Sequence, residues 1–374
     1  MDIYSEILAG LKADVRQVLA TIISSTGSTP VPPGSKMLVR ERAEIPLGTV
    51  GGGCVEGDVQ EAARQLLTMG GKTLIRRFTL TEDDIESGML CGGCIDILIE
   101  LIPKEQSEVY STLLSRRASG TDSAVITLLG GDQSLLGKSL VSPSVTGTDV
   151  NDLRLLRRIS GGLPASFSET VRRAIERQAV TRIPSAGAEF IIEPVIGLQD
   201  LFIFGGGHVS KYVSRSAAMA GFRVTVIDDR PEYANPQRFP EAYRTLAVGF
   251  DDSWNQLQIK PSTSIVIVTR GHKFDERVLE RAVQTQARYI GMIGSKRKVI
   301  STFANLVERA ISRDLLRKVR APIGLGIGAL TAEEIGISIT AELIAVRRGN
   351  VTPAGAMSEQ VAEFFQTGAY SKNP

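Results

Sequence analysis

Three cysteines, two histidines, one tryptophan and an aromatic content of 5% are all that this chain of 374 residues carries of the side chains that staple folds, hold metals and stack bases. Three cysteines, two of them in the pair Cys91-Gly-Gly-Cys94, give no disulfide framework. With no histidine near them they also fall short of a structural zinc site. So few aromatics argue against a base-stacking platform. Charge of one sign is lacking too: 43 basic residues against 41 acidic leave +2, no field that would recruit nucleic acid or a membrane surface. No apolar run reaches the roughly 18 residues of a membrane span, and the opening MDIYSEILAGLKADV has acids where a signal peptide needs a basic region. The expectation is a soluble, cytoplasmic protein with no nucleic-acid and no membrane partner. There is no internal repeat.

The hydrophobic content of 43% is ordinary, and the length has room for two domains. One stretch organises the second of them: LFIFGGGHVSKYVSRSAAMAGFRVTVIDDR, residues 201–230. Leu201 to Phe204 reads as a buried parallel strand, Gly205-Gly206-Gly207 as a turn, and a helix begins at His208. Val209, Tyr212, Val213, Ser216, Ala217 and Ala220 repeat at helical spacing, and Gly221 stands where a left-handed cap is wanted. A second strand, Arg223 to Ile227, ends on Asp228-Asp229-Arg230. This is a βαβ unit with a dinucleotide fingerprint. Gly205 allows the tight turn, Gly207 lets a phosphate approach the backbone, and the free N–H groups of the helix start, from His208 and Val209, point at the anion. Asp228, 23 residues after Gly205, is placed to hold a ribose hydroxyl, and Ser210 replaces the third glycine.

The remainder supports an α/β chain: a Rossmann-like, doubly wound parallel sheet over 198–350, preceded by a mixed α+β domain over 1–197 and followed by a tail, 351–374. In the first domain the pattern predicts helices at 3–11, 55–67, 105–117 and 167–178. It predicts strands at 15–24, 36–40, 74–80, 95–102, 124–129 and 189–196. Residues 130–165 show little period. In the second domain strands at 244–248, 264–268 and 289–293 continue the sheet, with helices near 275–287 and 297–312. Thr331 to Glu334 is a capping box that opens a long helix to about Arg347.

Both histidines fall where strands of the second domain end, which is where open α/β sheets bind ligands. His208 follows the glycine turn, and His272 follows Gly271 after the fourth strand. They could cap turns, donate to phosphate, act as acid–base groups, or hold a metal with Asp228 or Asp275. The fifth strand runs into Gly294-Ser295-Lys296-Arg297-Lys298, cations at a helix start that suit a phosphate or carboxylate, or a solvated basic turn. Ala321 to Ala329 is an apolar glycine loop. Cys54 follows Gly51-Gly52-Gly53 and opens a helix, an environment that favours thiolate, although Glu56 and Asp58 in the same turn oppose it. A buried inert cysteine is the alternative. Cys91 and Cys94 lead into a strand rather than a helix; a persulfide, a soft-metal contact or no role remain open.

Taken together, TGSTPVPPGSKMLV, GTVGGGCVEGDV and CGGCIDILIE in the first domain resemble the XdhC/CoxI family. So do FGGGHVSKY, VTVIDDRPEYANPQRFP, VTRGHKFDERVLERA, RYIGMIGSKRK and the glycine loop with its helix in the second. The resemblance implies an accessory factor that binds molybdenum cofactor, assists its sulfuration with a cysteine desulfurase, and delivers it to a client molybdenum hydroxylase of the xanthine dehydrogenase type. It implies that Cys54 and Cys91 are the family's cysteines, handling sulfur or metal; Cys94 departs from the family pattern. Molybdopterin, a pterin with a phosphate and a dithiolene-held metal, suits the glycine turn and the 294–298 cations. Asp228-Asp229 would suit its cytosine dinucleotide form better. A homodimer is the expected assembly. The reading from a different class is an NAD(P)-dependent oxidoreductase with His208 or His272 as its acid.

Overall fold

The computed structural model of the protein describes residues 2–70, 73–79, 93–129, 137–141, 167–185 and 188–349. The chain divides into two units, Met1–Gly197 and Leu198–Pro374. In the first, α1 (Ile3–Lys12) leads to β1 (Gln17–Thr26), β2 (Lys36–Arg40) and β3 (Leu47–Gly48). There follow α2 (Gly53–Met69), β4 (Leu74–Thr79), β5 (Cys94–Leu101), α3 (Ser107–Ala118), β6 (Ser123–Leu129), β7 (Gly137–Val141), α4 (Phe167–Arg177), β8 (Thr181–Ser185) and β9 (Ala188–Val195). Two antiparallel sheets result, in the orders β3-β2-β1-β5-β4 and β7-β6-β9-β8. The period of two in β1 and β5 explains the packing. Val18, Ala20 and Ile22, with Ile95, Ile97 and Ile99, face Val55, Val59, Ala62, Ala63 and Leu66 of α2. On the second sheet Ala124, Ile126, Phe190 and Ile192 meet Phe167, Val171 and Ile175 of α4.

The second unit runs β10 (Gln199–Phe204), α5 (His208–Met219), β11 (Phe222–Asp228), β12 (Arg244–Ala247), α6 (Phe250–Ser253), β13 (Ser264–Ile267), α7 (His272–Ala282) and β14 (Tyr289–Met292). It ends with α8 (Lys296–Glu308), α9 (Arg313–Leu316), β15 (Val319–Arg320) and α10 (Ala332–Arg347). Six parallel strands lie in the order β12-β11-β10-β13-β14-β15, so β10 is central and the order reverses on either side of it. Alternate residues of β10 serve opposite faces. Phe202 and Phe204 pack with Val278, Leu279, Val299 and Phe303 of α7 and α8. Leu201 and Ile203 pack with Val213, Ala217, Ile339 and Leu343 of α5 and α10. Full burial of such side chains stabilises by about 1.5–3 kcal/mol each. This is the doubly wound sheet expected, and the first unit is the mixed α+β fold.

Several local expectations change. β8 escapes the sequence pattern, because Pro184 breaks the look of a strand; it lies at the edge of its sheet, where a missing N–H is tolerated. The two-residue β15 is a sixth strand too short to leave a pattern. The helix expected from 105 begins as a 3-10 turn, Lys104–Gln106. Within 130–165 only β7 is described, and the tail 351–374 lies outside the described residues. Gly221 takes φ 83° just past α5, and Thr331 with Glu334 forms the capping box. Among the described residues no helix is long and apolar enough to cross a membrane.

Candidate functional site

The carboxyl ends of β10, β11, β13 and β14 bring together most of the second-unit residues singled out above. β10 ends at Phe204 and runs into Gly205, at φ 109°. Its N–H donates to the Ile227 carbonyl at 2.7 Å, and a Cβ there would strike the Val268 carbonyl. Gly206 is packed as tightly, since a Cβ would run into the Tyr233 carbonyl. Gly207 differs: nothing lies within 4 Å of where its Cβ would be. Packing dictates the first two glycines, whereas the third faces open space at the N-cap of α5. Ser210 is fully buried, and its hydroxyl donates to the Gly205 carbonyl at 2.6 Å. That bond ties the turn to the helix, a role beyond the small size read from the sequence.

Asp228 ends β11 with its side chain buried (1% exposed). Its Oδ2 accepts from the Gly206 N–H at 2.8 Å and from Arg230 Nη2 at 3.1 Å. Its Oδ1 accepts from the Arg230 N–H at 3.1 Å and from Arg230 Nε at 2.9 Å. Burial pushes the carboxyl pKa up, but the Arg230 guanidinium and the two backbone N–H groups outweigh it and hold the pKa below its usual value. Asp229 is half-buried; its Oδ2 accepts from Arg270 Nη2 at 2.8 Å. That pair links the ends of β11 and β13 on either side of β10. Arg238, which sequence reasoning missed, donates from Nε to the Gly206 carbonyl at 2.9 Å. Nothing local marks it, since it lies 32 residues from its partner.

His208 and His272 are the first residues of α5 and α7, and both are exposed. Gly271 caps α7 without contact at its Cβ position. Asp275 is fully buried, with Oδ1 accepting from the Thr269 N–H at 3.1 Å and hydroxyl at 2.6 Å. Its Oδ2 pairs with Lys298. Of the three cations after β14, Lys298 is therefore committed to that ion pair, while Lys296 and Arg297 are exposed. Ser295 caps α8, accepting from the Lys298 N–H, and Gly294 precedes it. The loop after β15 is pinned by the buried Glu342, which accepts from the Gly324 N–H at 2.9 Å and from the Tyr289 hydroxyl. Burial first, and that carboxylate second, push the Tyr289 phenol well above its usual pKa.

In the first unit, Gly51, Gly52 and Gly53 take φ of 128°, 82° and 59°, a turn only glycine makes readily. It delivers Cys54 to the first turn of α2 with its side chain exposed, so it is not a core residue. Glu56 accepts from the Val50 N–H at 3.2 Å and from the Thr49 hydroxyl, which ties its carboxylate back to the turn. A Cβ at Gly51 would touch Pro30, and one at Gly93 would strike the Thr26 and Ser28 carbonyls. The loop after β1 thus packs against both the glycine turn and the segment that carries Cys94. Cys94 is partly buried, its Sγ 3.7 Å from the Thr79 hydroxyl. Cys91 lies outside the described residues. Among the described residues no three His, Cys, Asp or Glu side chains group to hold a metal ion.

Residues 201–343 match the model of the XdhC Rossmann domain, and residues 11–79 that of the XdhC and CoxI family. Over 335 residues the chain is 28% identical to a Bacillus subtilis strain 168 protein named as a probable subunit of xanthine dehydrogenase, covering 88% of this chain and 93% of that protein. It is 24% identical over 334 residues to the molybdenum cofactor insertion chaperone PaoD of Escherichia coli strain K12, covering 88% and 83% respectively. A solved structure from Bacillus halodurans, described as a xanthine dehydrogenase, shares the fold with a TM-score of 0.72 at 24% identity, over 96% of this chain and 99% of that one.

Proposed function

The chain belongs to the XdhC and CoxI family, and from that membership we propose that it is an accessory protein that binds molybdenum cofactor and serves a molybdenum hydroxylase of the xanthine dehydrogenase type. Its relatives, one named for xanthine dehydrogenase and one as a molybdenum cofactor insertion chaperone, support the role. The cofactor is cargo here, and the residues fit it. Gly205 and Gly206 hold the turn, Gly207 leaves the backbone open to a phosphate, and the α5 N–H groups from His208 and Val209 onward supply donors. Lys296 and Arg297, beyond Gly294 and Ser295, add positive charge. Gly271 and His272 follow the carboxyl end of β13, the strand beside β10.

The observation that carries the reading is Cys54. An exposed soft sulfur at the start of a 17-residue helix, presented by three glycines in left-handed conformations, suits contact with sulfur or molybdenum. Hydride transfer from a nicotinamide does not need such a thiol, whereas a sulfur or metal carrier does. Cys91 is proposed to share this task, with a cysteine desulfurase as the source of sulfur and a homodimer as the working form. The alternative, an NAD(P)-dependent oxidoreductase, has the sheet order in its favour but not the first unit. The test is co-expression of a client hydroxylase with the native chain or with Cys54→Ser. Native-like melting of the variant, with a client short of cyanide-labile sulfur or molybdenum, is expected. Full client activity with both Cys54 and Cys91 replaced by serine would overturn the thiol role.

A further inference from the structure

In a dinucleotide site the acid at the end of the second strand must keep an acceptor for the ribose diol. An ionised carboxylate offers about four acceptor positions. On Asp228 four donors are already in place, two on each oxygen, and three of them come from Arg230. We propose that Arg230 is a specificity-determining residue that closes the ribose subsite, so that the crevice takes a phosphate ester without ribose, of the plain pterin-phosphate kind, and rejects dinucleotides. This rests on the reading of the glycine turn as a phosphate subsite.

Arg230 is held from several sides. Its guanidinium lies over the Tyr233 ring, 3.6 Å from the centroid. The turn that follows is closed by the Tyr233 and Ala234 N–H groups, which donate to the Arg230 carbonyl at 3.0 and 3.2 Å. The guanidinium fork on a carboxylate is a charge-assisted, two-point contact, and a neutral ribose hydroxyl is the weaker donor that would have to displace it. Asp229 offers no substitute. Its Oδ2 takes Arg270, and its Oδ1, 3.9 Å from Arg230 Nε, is buried away from any incoming group. The phosphate end of the crevice is untouched by this closure, because Gly207 still faces open space.

The experiment titrates the full chain, native and Arg230→Ala, with inorganic pyrophosphate, cytidine 5′-diphosphate and its 2′,3′-dideoxy analogue. The readout is calorimetry together with the fluorescence of Trp254. That residue is the only tryptophan in the chain, and it stacks at 5.0 Å on Phe204, one residue before the glycine turn. The native chain should bind cytidine diphosphate no more tightly than its dideoxy analogue. In Arg230→Ala the freed carboxylate should tighten cytidine diphosphate by about tenfold or more, the worth of one hydrogen bond to a charged group. The dideoxy analogue should gain nothing, and pyrophosphate should change little. Arg230→Lys keeps the charge but loses the fork, so it should gain in the same direction by less; it carries the test if the alanine variant does not fold. A native chain that prefers the ribose diphosphate by about tenfold, or folded variants that gain nothing while still binding pyrophosphate, would overturn the proposal and leave the phosphate subsite standing. Pyrophosphate bound by neither protein would overturn both.

Discussion

Replacing Gly206 by alanine isolates what the glycine turn does for the fold from what it does for a ligand. The added methyl would collide with the Tyr233 carbonyl, which is backbone and cannot rotate away. Relieving an overpacked contact of this kind costs about 1–3 kcal/mol. The shift would also loosen two hydrogen bonds to charged groups, Gly206 N–H to Asp228 and Arg238 Nε to the Gly206 carbonyl, at 2.8 and 2.9 Å. Such bonds are worth about 1.5–3 kcal/mol each, though a relaxed turn would keep part of them. A total of about 2–5 kcal/mol should lower the melting temperature of the second unit by roughly 5–15 °C. The adjacent change, Gly207→Ala, meets nothing and sits at φ −69°, a conformation any residue adopts, so it should move stability by less than about 1 kcal/mol. Thermal melts followed through Trp254 report on this unit directly. Equal melting of Gly206→Ala and the native chain, or a large loss in Gly207→Ala, would refute the assignment of the two glycines.

Gly207→Val should leave the fold in place while abolishing pyrophosphate binding in calorimetry; undiminished binding would remove the turn from the site. Lys296→Ala with Arg297→Ala should weaken binding of a phosphate ligand by about 1.5–3 kcal/mol for each lost charged hydrogen bond, less at high salt where the native gain is screened. Equal affinities at low salt would make them surface cations. Asp96 gives a pH dependence. Arg77 first, with Ser24 and Arg182 adding to it against the cost of burial, lowers its carboxyl from 3.8 to about 2. A depressed acid stabilises the fold at pH above its unfolded value, and that contribution is lost as pH falls through the folded one. Between about pH 4 and 2 the first unit should therefore lose roughly 1–2 kcal/mol, screened by the exposure of Arg77, and Asp96→Asn should flatten that part of the acid denaturation curve.

What could be read from the sequence was what neighbouring residues settle among themselves. The β10–α5–β11 unit was legible because apolar period, glycine turn and helix stop agree over thirty residues. The capping box at Thr331 was legible because both of its partners lie within four residues. Pairings across the sheet were not. Asp275 with Lys298 spans 23 residues, and it withdraws one of three cations that look equivalent in the string Lys296-Arg297-Lys298. Arg238 reaches back 32 residues to Gly206. The occupation of Asp228 had a local sign, an arginine two residues on. An Asp-x-Arg string does not say, however, whether the guanidinium folds back on the acid or reaches outward. β8 and β15 were hidden by a proline and by brevity, and only their sheet partners define them.

Analysis of molybdenum by mass spectrometry and of pterin by fluorescence, on the full chain purified from a molybdate-fed host, tests the central claim most directly. The account predicts molybdenum and pterin in comparable amounts on the native chain and a marked loss of both in Gly207→Val. A native chain that carries neither, or that instead carries a nicotinamide nucleotide, would contradict it.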